Sequence, residues 1–402
     1  MNDPTVGVPY DPIVEWGKLD AQFANYPLKR HVTFRLSPDE MERGFLGEVG
    51  PDDGVFIYER LGHPETWLLE KYCAAMEHTE AACCVGSGQA VITTLLDACC
   101  RPGDSIVASN RLYGGTIGKL KKLFEQRNIT VTFVDISDLD EVCDAMGTKT
   151  RLVLAETTSN PTLLVANIPL LSAIVHQFGA LLAIDNTFTP LIVLPVHHGA
   201  DIVWHSLTKF VSGKSDIMAG VICANRELTE RFRTERTFNG GVLHYQEATK
   251  LRKRFSRLPD HLKKHGILAL AVAGYLKDCG YVVHYPGLPS DPGHELFRSL
   301  MHTEKFGYGG VVTLDLHDAG RAKHLATAMD KSGFAISAVS LGSIFTYVCA
   351  PLSAVLCALR DEVELPEDLS PGLVRIAMGH SGRKETVLRR LSSALDIFPP
   401  TE

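Results

Sequence analysis

Apolar residues keep no sustained period over the first 65 positions. Glycine, proline and acidic clusters such as Pro-Asp-Asp-Gly at 51–54 interrupt them, and residues 1–65 read as an extended arm or lid. From about 66 to 100 the pattern becomes helical, with Leu68, Leu69, Tyr72, Cys73 and Met76 recurring at helix spacing. Gly86-Ser87-Gly88 breaks this run, and 89–98 resumes it. Short β-rich runs then alternate with longer amphipathic ones: strands at 105–109, 130–134, 151–155, 181–185, 201–205 and 218–223, helices at 117–127 and 169–178. Strands separated by helix-length segments predict βαβ units and a mainly parallel sheet. Ligands of such sheets bind beyond the carboxyl ends of the strands, where Glu156, Asp185 and the segment after His205 fall. A polar, helix-prone stretch covers about 227–277. Beyond it, 310–316, 335–340 and 373–378 read as strands with helices between, a smaller C-terminal α+β domain.

With 402 residues the chain is long enough for two or three domains at about 150 residues each. Its 40 Lys and Arg against 47 Asp and Glu give a formal charge of -7. A mildly acidic chain without a long basic block argues against a nucleic-acid partner, while leaving room for a local basic pocket. No 18-residue uncharged apolar run is present, which argues against a membrane span. The polar, proline-containing start lacks an apolar signal core. The cysteines form no CxxC: four lie in the adjacent pairs Cys83-Cys84 and Cys99-Cys100, and Cys73, Cys143, Cys223, Cys279, Cys349 and Cys357 are scattered. This fits reduced thiols in a cytoplasmic protein rather than a disulfide framework or a zinc site. The 16 histidines show no HExxH spacing, and no metal site is expected.

Four segments carry candidate chemistry. Ser206-Leu207-Thr208-Lys209, followed by Gly213-Lys214-Ser215-Asp216, puts a lysine behind two hydroxyls at a strand end. Such an amine can form a Schiff base with an aldehyde, and the hydroxyls can hold a phosphate; a surface lysine in a Ser/Thr loop is the other reading. Asp185, at the end of 181–185, can pair with a protonated ring nitrogen or simply cap a helix. Gly86-Ser87-Gly88-Gln89 opens a helix, where free amides and the helix dipole suit an anion, though turn glycines are more common than phosphate sites. Tyr113-Gly114-Gly115 is either a turn or an aromatic ring free to stack on a planar group.

Glycine loop, aromatic, acid, then hydroxyl and lysine, in that order, resembles the fold-type I pyridoxal-phosphate (PLP) enzymes. More specifically, the chain is similar to the Cys/Met-metabolism family of cystathionine γ-synthase, cystathionine lyases and methionine γ-lyase. The similarity runs through Tyr58-Glu59-Arg60, Glu156 to Pro161, Asp185 to Phe188, Ser206 to Asp216, Tyr285 to Ser290, Ala338 to Gly342 and Leu373-Val374-Arg375. It implies an aspartate-aminotransferase-like α/β fold, with an arm over 1–65, a PLP-binding domain over 66–260 and a C-terminal domain over 261–402. It also implies a homo-oligomer, with a dimer as the active unit and a tetramer as the assembly, acting on a small amino acid. By the same resemblance, Lys209 is the cofactor lysine and proton carrier. Asp185 faces the pyridine nitrogen; Gly88, Gln89, Ser206 and Thr208 hold the phosphate; Tyr58 and Arg60 reach the neighbour's phosphate. Tyr113 stacks on the ring and protonates the leaving group, Asn160 lies near the phenolic oxygen, and Ser340 and Arg375 hold the substrate carboxylate.

Several positions depart from the family pattern. Lys214 stands where a histidine is usual, and His63-Pro64-Glu65-Thr66 replaces Asn-Pro-Thr. The Asp185-Asn186-Thr187-Phe188 segment is one residue shorter, with Thr189-Pro190 following directly. Phe345-Thr346 replaces an acidic pair, which removes a carboxylate suited to a distal ammonium. The basic stretch 251–265 reads either as a solvated helix face or as an altered wall of the substrate entrance. The implied activity is γ-elimination or γ-replacement on an amino acid with a heteroatom at Cγ: a homoserine ester, a methionine-like or a canavanine-like compound. The alternatives are a β-lyase acting on cystathionine or cysteine conjugates, and a PLP-binding protein without catalysis.

Overall fold

A computed structural model describes residues 12–23, 31–351 and 369–396. Parts of the expected arm (1–11 and 24–30) and Cys357 lie outside the described residues. The helices are α1 (Pro12–Phe23), α2 (Pro38–Phe45), α3 (Pro64–Glu77), α4 (Gly88–Cys99), α5 (Gly114–Lys121), α6 (Leu123–Arg127), α7 (Leu139–Ala145), α8 (Ile168–Gln177), α9 (Arg226–Asn239), α10 (Tyr245–Phe255), α11 (Leu258–Asp278), α12 (His294–Leu300), α13 (Ala319–Lys331) and α14 (Lys384–Leu395). No helix among the described residues is long and apolar enough to cross a membrane.

Seven strands form the large sheet: β1 (Ala81–Val85), β2 (Ser105–Ser109), β3 (Thr130–Val134), β4 (Thr150–Glu156), β5 (Leu181–Asp185), β6 (Ile202–Ser206) and β7 (Gly220–Ala224). Their order is β1-β7-β6-β5-β4-β2-β3. The pairs from β3 to β6 are parallel; β7 runs antiparallel to both β6 and β1. Helices cover both faces. One core joins the sheet to α3, α8 and α10, the other to α4, α5 and α9.

Strand parity sets what reaches the carboxyl edge. Ala155, Ile184 and Val203 pack into the first core; Leu154, Ala183 and Trp204 pack into the second. Side chains alternate along a strand, so Glu156, Asp185 and Ser206 all project on the α4–α5 side, at the ends of adjacent strands. Glu156 lies directly across from Asp185 in the register.

The second sheet holds β8 (Val282–His284), β9 (Val311–Asp315), β10 (Ile336–Ser337), β11 (Tyr347–Cys349) and β12 (Leu373–Ala377), ordered β10-β11-β12-β9-β8. Its outer face packs on α11, α13 and α14, where Val374 and Ile376 of β12 and Val312 and Leu314 of β9 are buried. The same alternation turns Arg375 and Thr313 to the opposite face, toward the large sheet, and the Thr313 hydroxyl donates to the Pro161 carbonyl at 2.7 Å. The two sheets thus meet across a cleft.

Three local readings change. Residues 81–85 form β1 rather than a continuation of the preceding helix, because they pair with β7 more than 130 positions downstream. The helix expected over 117–127 begins at Gly114 and is divided at Lys122. Strands β8 and β11, short and only partly apolar, had no expectation at all. Within the arm, α1 docks on its own chain: Trp16 is buried, donates to the Tyr72 carbonyl at 3.1 Å and meets the Phe255 ring edge-on at 5.1 Å.

Candidate active site

The cleft between the sheets encloses about 500 Å³. Of the residues singled out in the sequence, Gly88, Gln89, Tyr113, Asn160, Asp185, Ser206, Thr208, Lys209, Ser340 and Arg375 all line it. Tyr58 and Arg60 do not. They sit on the arm, where the Arg60 guanidinium lies 5.8 Å over the Tyr58 ring and donates to the Thr237 carbonyl at 3.2 Å.

At one end of the cleft α4 begins. Ser87 caps it, its hydroxyl accepting from the Ala90 amide at 3.1 Å. The first amides, at Gly88 and Gln89, precede any carbonyl of the helix that could accept them. Gly88 leaves this end open: a Cβ there would lie 3.1 Å from the Ser206 Cβ. A negatively charged group fits here on both dipole and space. Ser206 faces this point, whereas the Thr208 hydroxyl bonds to Ala219, donating to its carbonyl at 3.3 Å and accepting from its amide at 3.0 Å.

The floor is acidic. Burial pushes the Asp185 carboxyl up, against the bonds it accepts from Thr187, whose amide lies at 2.9 Å. Burial and the neighbouring Asp185 push Glu156 well above the usual carboxylate range. Glu156 has a further task that the sequence did not reveal. Its Oε1 accepts from the Tyr113 amide at 2.7 Å and its Oε2 from the Asn160 amide at 3.0 Å, so one side chain ties two cleft walls to the end of β4. The Tyr113 ring itself is seated over Gly115, where a Cβ would lie 2.6 Å from its Cε1.

Lys209 follows β6 in a tight turn, with the Gly213 amide donating to its carbonyl at 2.9 Å. Its Nζ donates to Ser340 Oγ at 3.2 Å. Burial, then the positive charge of Arg375, lower its amine to about 8. Arg375 is 5% exposed. One Nη donates to Asn160 Oδ1 at 3.0 Å, the other to the carbonyls of Val339 and Ser340 at 2.9 and 3.3 Å. Its buried Nε has no hydrogen-bond partner among the described residues, so the guanidinium is fixed yet keeps a donor for an incoming anion.

An α/β frame, a desolvated lysine at a strand end, a buried acid on the adjacent strand and a helix N-terminus open to an anion define a fold-type I PLP enzyme. The comparisons agree and are more specific. The sequence pattern of the Cys/Met metabolism PLP-dependent enzyme family matches residues 17–395, and the chain belongs to that family. It is 35% identical over 369 residues to methionine gamma-lyase of Arabidopsis thaliana, covering 90% of this chain and 83% of that protein. It is 34% identical over 336 residues to cystathionine gamma-synthase of Mycobacterium tuberculosis, covering 82% and 84%. The solved structure of metB from Corynebacterium glutamicum superposes with a TM-score of 0.86 at 27% identity, over 98% of this chain and all of that one. The cofactor of this family is pyridoxal 5'-phosphate, and the donors present suit its parts: an anion seat, an acid, an amine and an aromatic wall.

Proposed function

We propose that the protein catalyses γ-elimination or γ-replacement on an L-amino acid with a heteroatom leaving group at Cγ. One observation carries this reading: the Lys209 amine, held near the physiological range, lies within reach of Ser340 and beside the guanidinium of Arg375 in a single cleft. Relatives named for γ-chemistry, a methionine gamma-lyase and a cystathionine gamma-synthase, support it.

When bound, the cofactor supplies an aldehyde for the substrate amine and a ring that takes up the charge left at Cα. The chain's own residues supply the rest. Gly88, Gln89 and Ser206 seat the phosphate, joined by Thr208 once its hydroxyl turns from Ala219. Asp185 keeps the ring nitrogen protonated, and Tyr113, tied by Glu156, covers the ring. Arg375 and Ser340 receive the substrate carboxylate and Asn160 orients that guanidinium. This places Cα beside Lys209 Nζ, which as a neutral amine removes the Cα proton and then one from Cβ. The two positions are one bond apart, within the swing of a flexible lysine. The Tyr113 hydroxyl gives a proton to the departing heteroatom. Elimination with water then yields the leaving group, a four-carbon α-keto acid and ammonia; replacement inserts a nucleophile at Cγ.

Incubating the PLP-loaded protein with a homoserine ester, methionine, canavanine and cystathionine, and identifying products, tests this. The four-carbon keto acid, or a new Cγ-substituted amino acid, is expected. Pyruvate as the sole keto acid, or no turnover, would replace it with β-lyase chemistry or with cofactor binding alone.

The assembly reading is a homodimer, paired into a tetramer, in which Tyr58 and Arg60 serve the neighbour's phosphate. Both lie outside their own cleft, and Phe45, Leu46 and Phe238 are 67%, 66% and 81% exposed, as a face awaiting a second copy requires. Chains carrying Lys209→Ala and chains carrying Arg60→Ala, unfolded and refolded together, are expected to regain turnover that neither has alone; refolded mixtures as inactive as the parents would count against shared sites. A cytoplasmic setting fits the nine described cysteines, all free thiols.

A further inference from the structure

The activity leaves the basic stretch 251–265 without a task, and neither reading of it from sequence describes what it does. No residue of the stretch is among those lining the cleft. Arg254, in the last turn of α10, points at the loop between Lys209 and β7. Its Nη1 and Nη2 donate to Asp216 Oδ1 and Oδ2 at 2.5 and 2.7 Å, a two-pronged pairing. Nη1 also reaches the Ser212 carbonyl and hydroxyl at 3.0 and 3.1 Å, and that hydroxyl donates to Asp216 at 3.3 Å. The bond from Arg254 holds the Asp216 carboxyl down at about 2, so the pairing is intact across the working pH range.

The loop needs such a hold. Gly213 has φ +68°, and Ser215, a residue with a Cβ, has φ +56°. A serine in the left-handed region costs about 1 kcal/mol and persists where its surroundings impose it. The first turn of this loop is Lys209 itself, closed by the bond from the Gly213 amide to the Lys209 carbonyl. From the far side, the Tyr347 hydroxyl meets Ser215 Oγ at 3.4 Å. Gly342 presses on the Lys209–Phe210 peptide so closely that a Cβ there would lie 2.5 Å from the Phe210 amide nitrogen. Helix α10 is itself braced, its Tyr245 amide donating to Glu59 Oε1 at 2.6 Å and Arg252 pairing with Glu65 at 3.4 Å.

We infer that Arg254, acting through Asp216 and Ser212, is a positioning residue for Lys209: it fixes the loop that aims the lysine amine at Ser340. The inference rests on Lys209 being the base of the proposed reaction. It assigns a role to a side chain that never touches the cleft.

The test uses Arg254→Met, Asp216→Asn and the double variant in the full-length protein. Each single change is expected to lower kcat about 10-fold, the scale of a small misplacement, with KM changed less than about twofold. As the loosened lysine becomes hydrated its amine regains basicity, so the acid limb of the kcat profile moves up by about half a pH unit or more. Capture of added PLP by Lys209 in the cofactor-free protein, followed by absorbance, slows by a similar factor. The double variant is no worse than either single one, because both act through one pairing. Arg254→Lys, which keeps a charge but not the fork, falls between and provides the reading if Arg254→Met does not fold. An unchanged acid limb with an unchanged capture rate, or fully additive losses, overturns the inference. Lys209→Ala keeps the two failures apart: if that variant still turns over substrate, the functional reading itself has failed. If it is inactive while Arg254→Met behaves as wild type, only the positioning role has.

Discussion

Replacing Lys209 with alanine lowers turnover about 10³-fold or more, while the protein still binds PLP through its phosphate seat. Lys209 is the one amine lining the cleft, and the substrate protons at Cα and Cβ have no other base of suitable strength among the described lining residues. Asp185 and Glu156 lie at the floor, one committed to the ring nitrogen and the other to two backbone amides. In the wild type, only the neutral amine accepts a proton. Its value of about 8 follows from burial and from Arg375, so the rate climbs as pH rises through 8 and falls below it. Steady-state rates against pH for both proteins check this. Residual turnover within about tenfold of wild type, or a profile that ignores pH between 7 and 9, would remove Lys209 from its role.

Arg375→Leu is expected to cut kcat/KM by about 10²–10³-fold, equivalent to about 3–4 kcal/mol for a lost charge-assisted pairing in a buried site. The carboxylate it receives is present in the ground state as well as the transition state, so most of the loss appears in KM. A second signature separates this from general damage. The Arg375 charge helps to lower the Lys209 amine, so its removal raises that amine and shifts the acid limb upward. Arg375→Lys does not restore the site, because three carbonyl-type oxygens, from Asn160, Val339 and Ser340, orient a planar fork that an ammonium lacks. Binding of a carboxylate inhibitor that is unchanged in the leucine variant would contradict the assignment.

The strand ends were legible because a parallel strand buried on both faces is a short apolar run, and 105–109 and 181–185 are such runs. The ordered glycine loop, aromatic, acid and lysine marked the cleft before its geometry was known. What escaped shares one cause: partners distant in the chain. Ala81–Val85 is as apolar as a helix segment, and only pairing with Gly220–Ala224 makes it a strand. Glu156 sits in a recognisable motif, yet its bonds to Tyr113 and Asn160 depend on where two loops return. Arg254 looks like one more cation on a wet helix until Asp216, 38 positions earlier, closes on it. Likewise His63, which departs from the family pattern, caps α3 by accepting from the Glu65 amide at 3.0 Å, and its ring stacks on Tyr245.

Trp16 bears on where this molecule begins as a physical object. The family likeness starts at residue 17, one position after the indole that fills the gap between Tyr72 and Phe255. The span shared with relatives and the span that closes the core are therefore not the same. A chain cut back to the shared span would lose an aromatic plug and wet the rings beneath it, although every residue of the catalytic cleft would still be present.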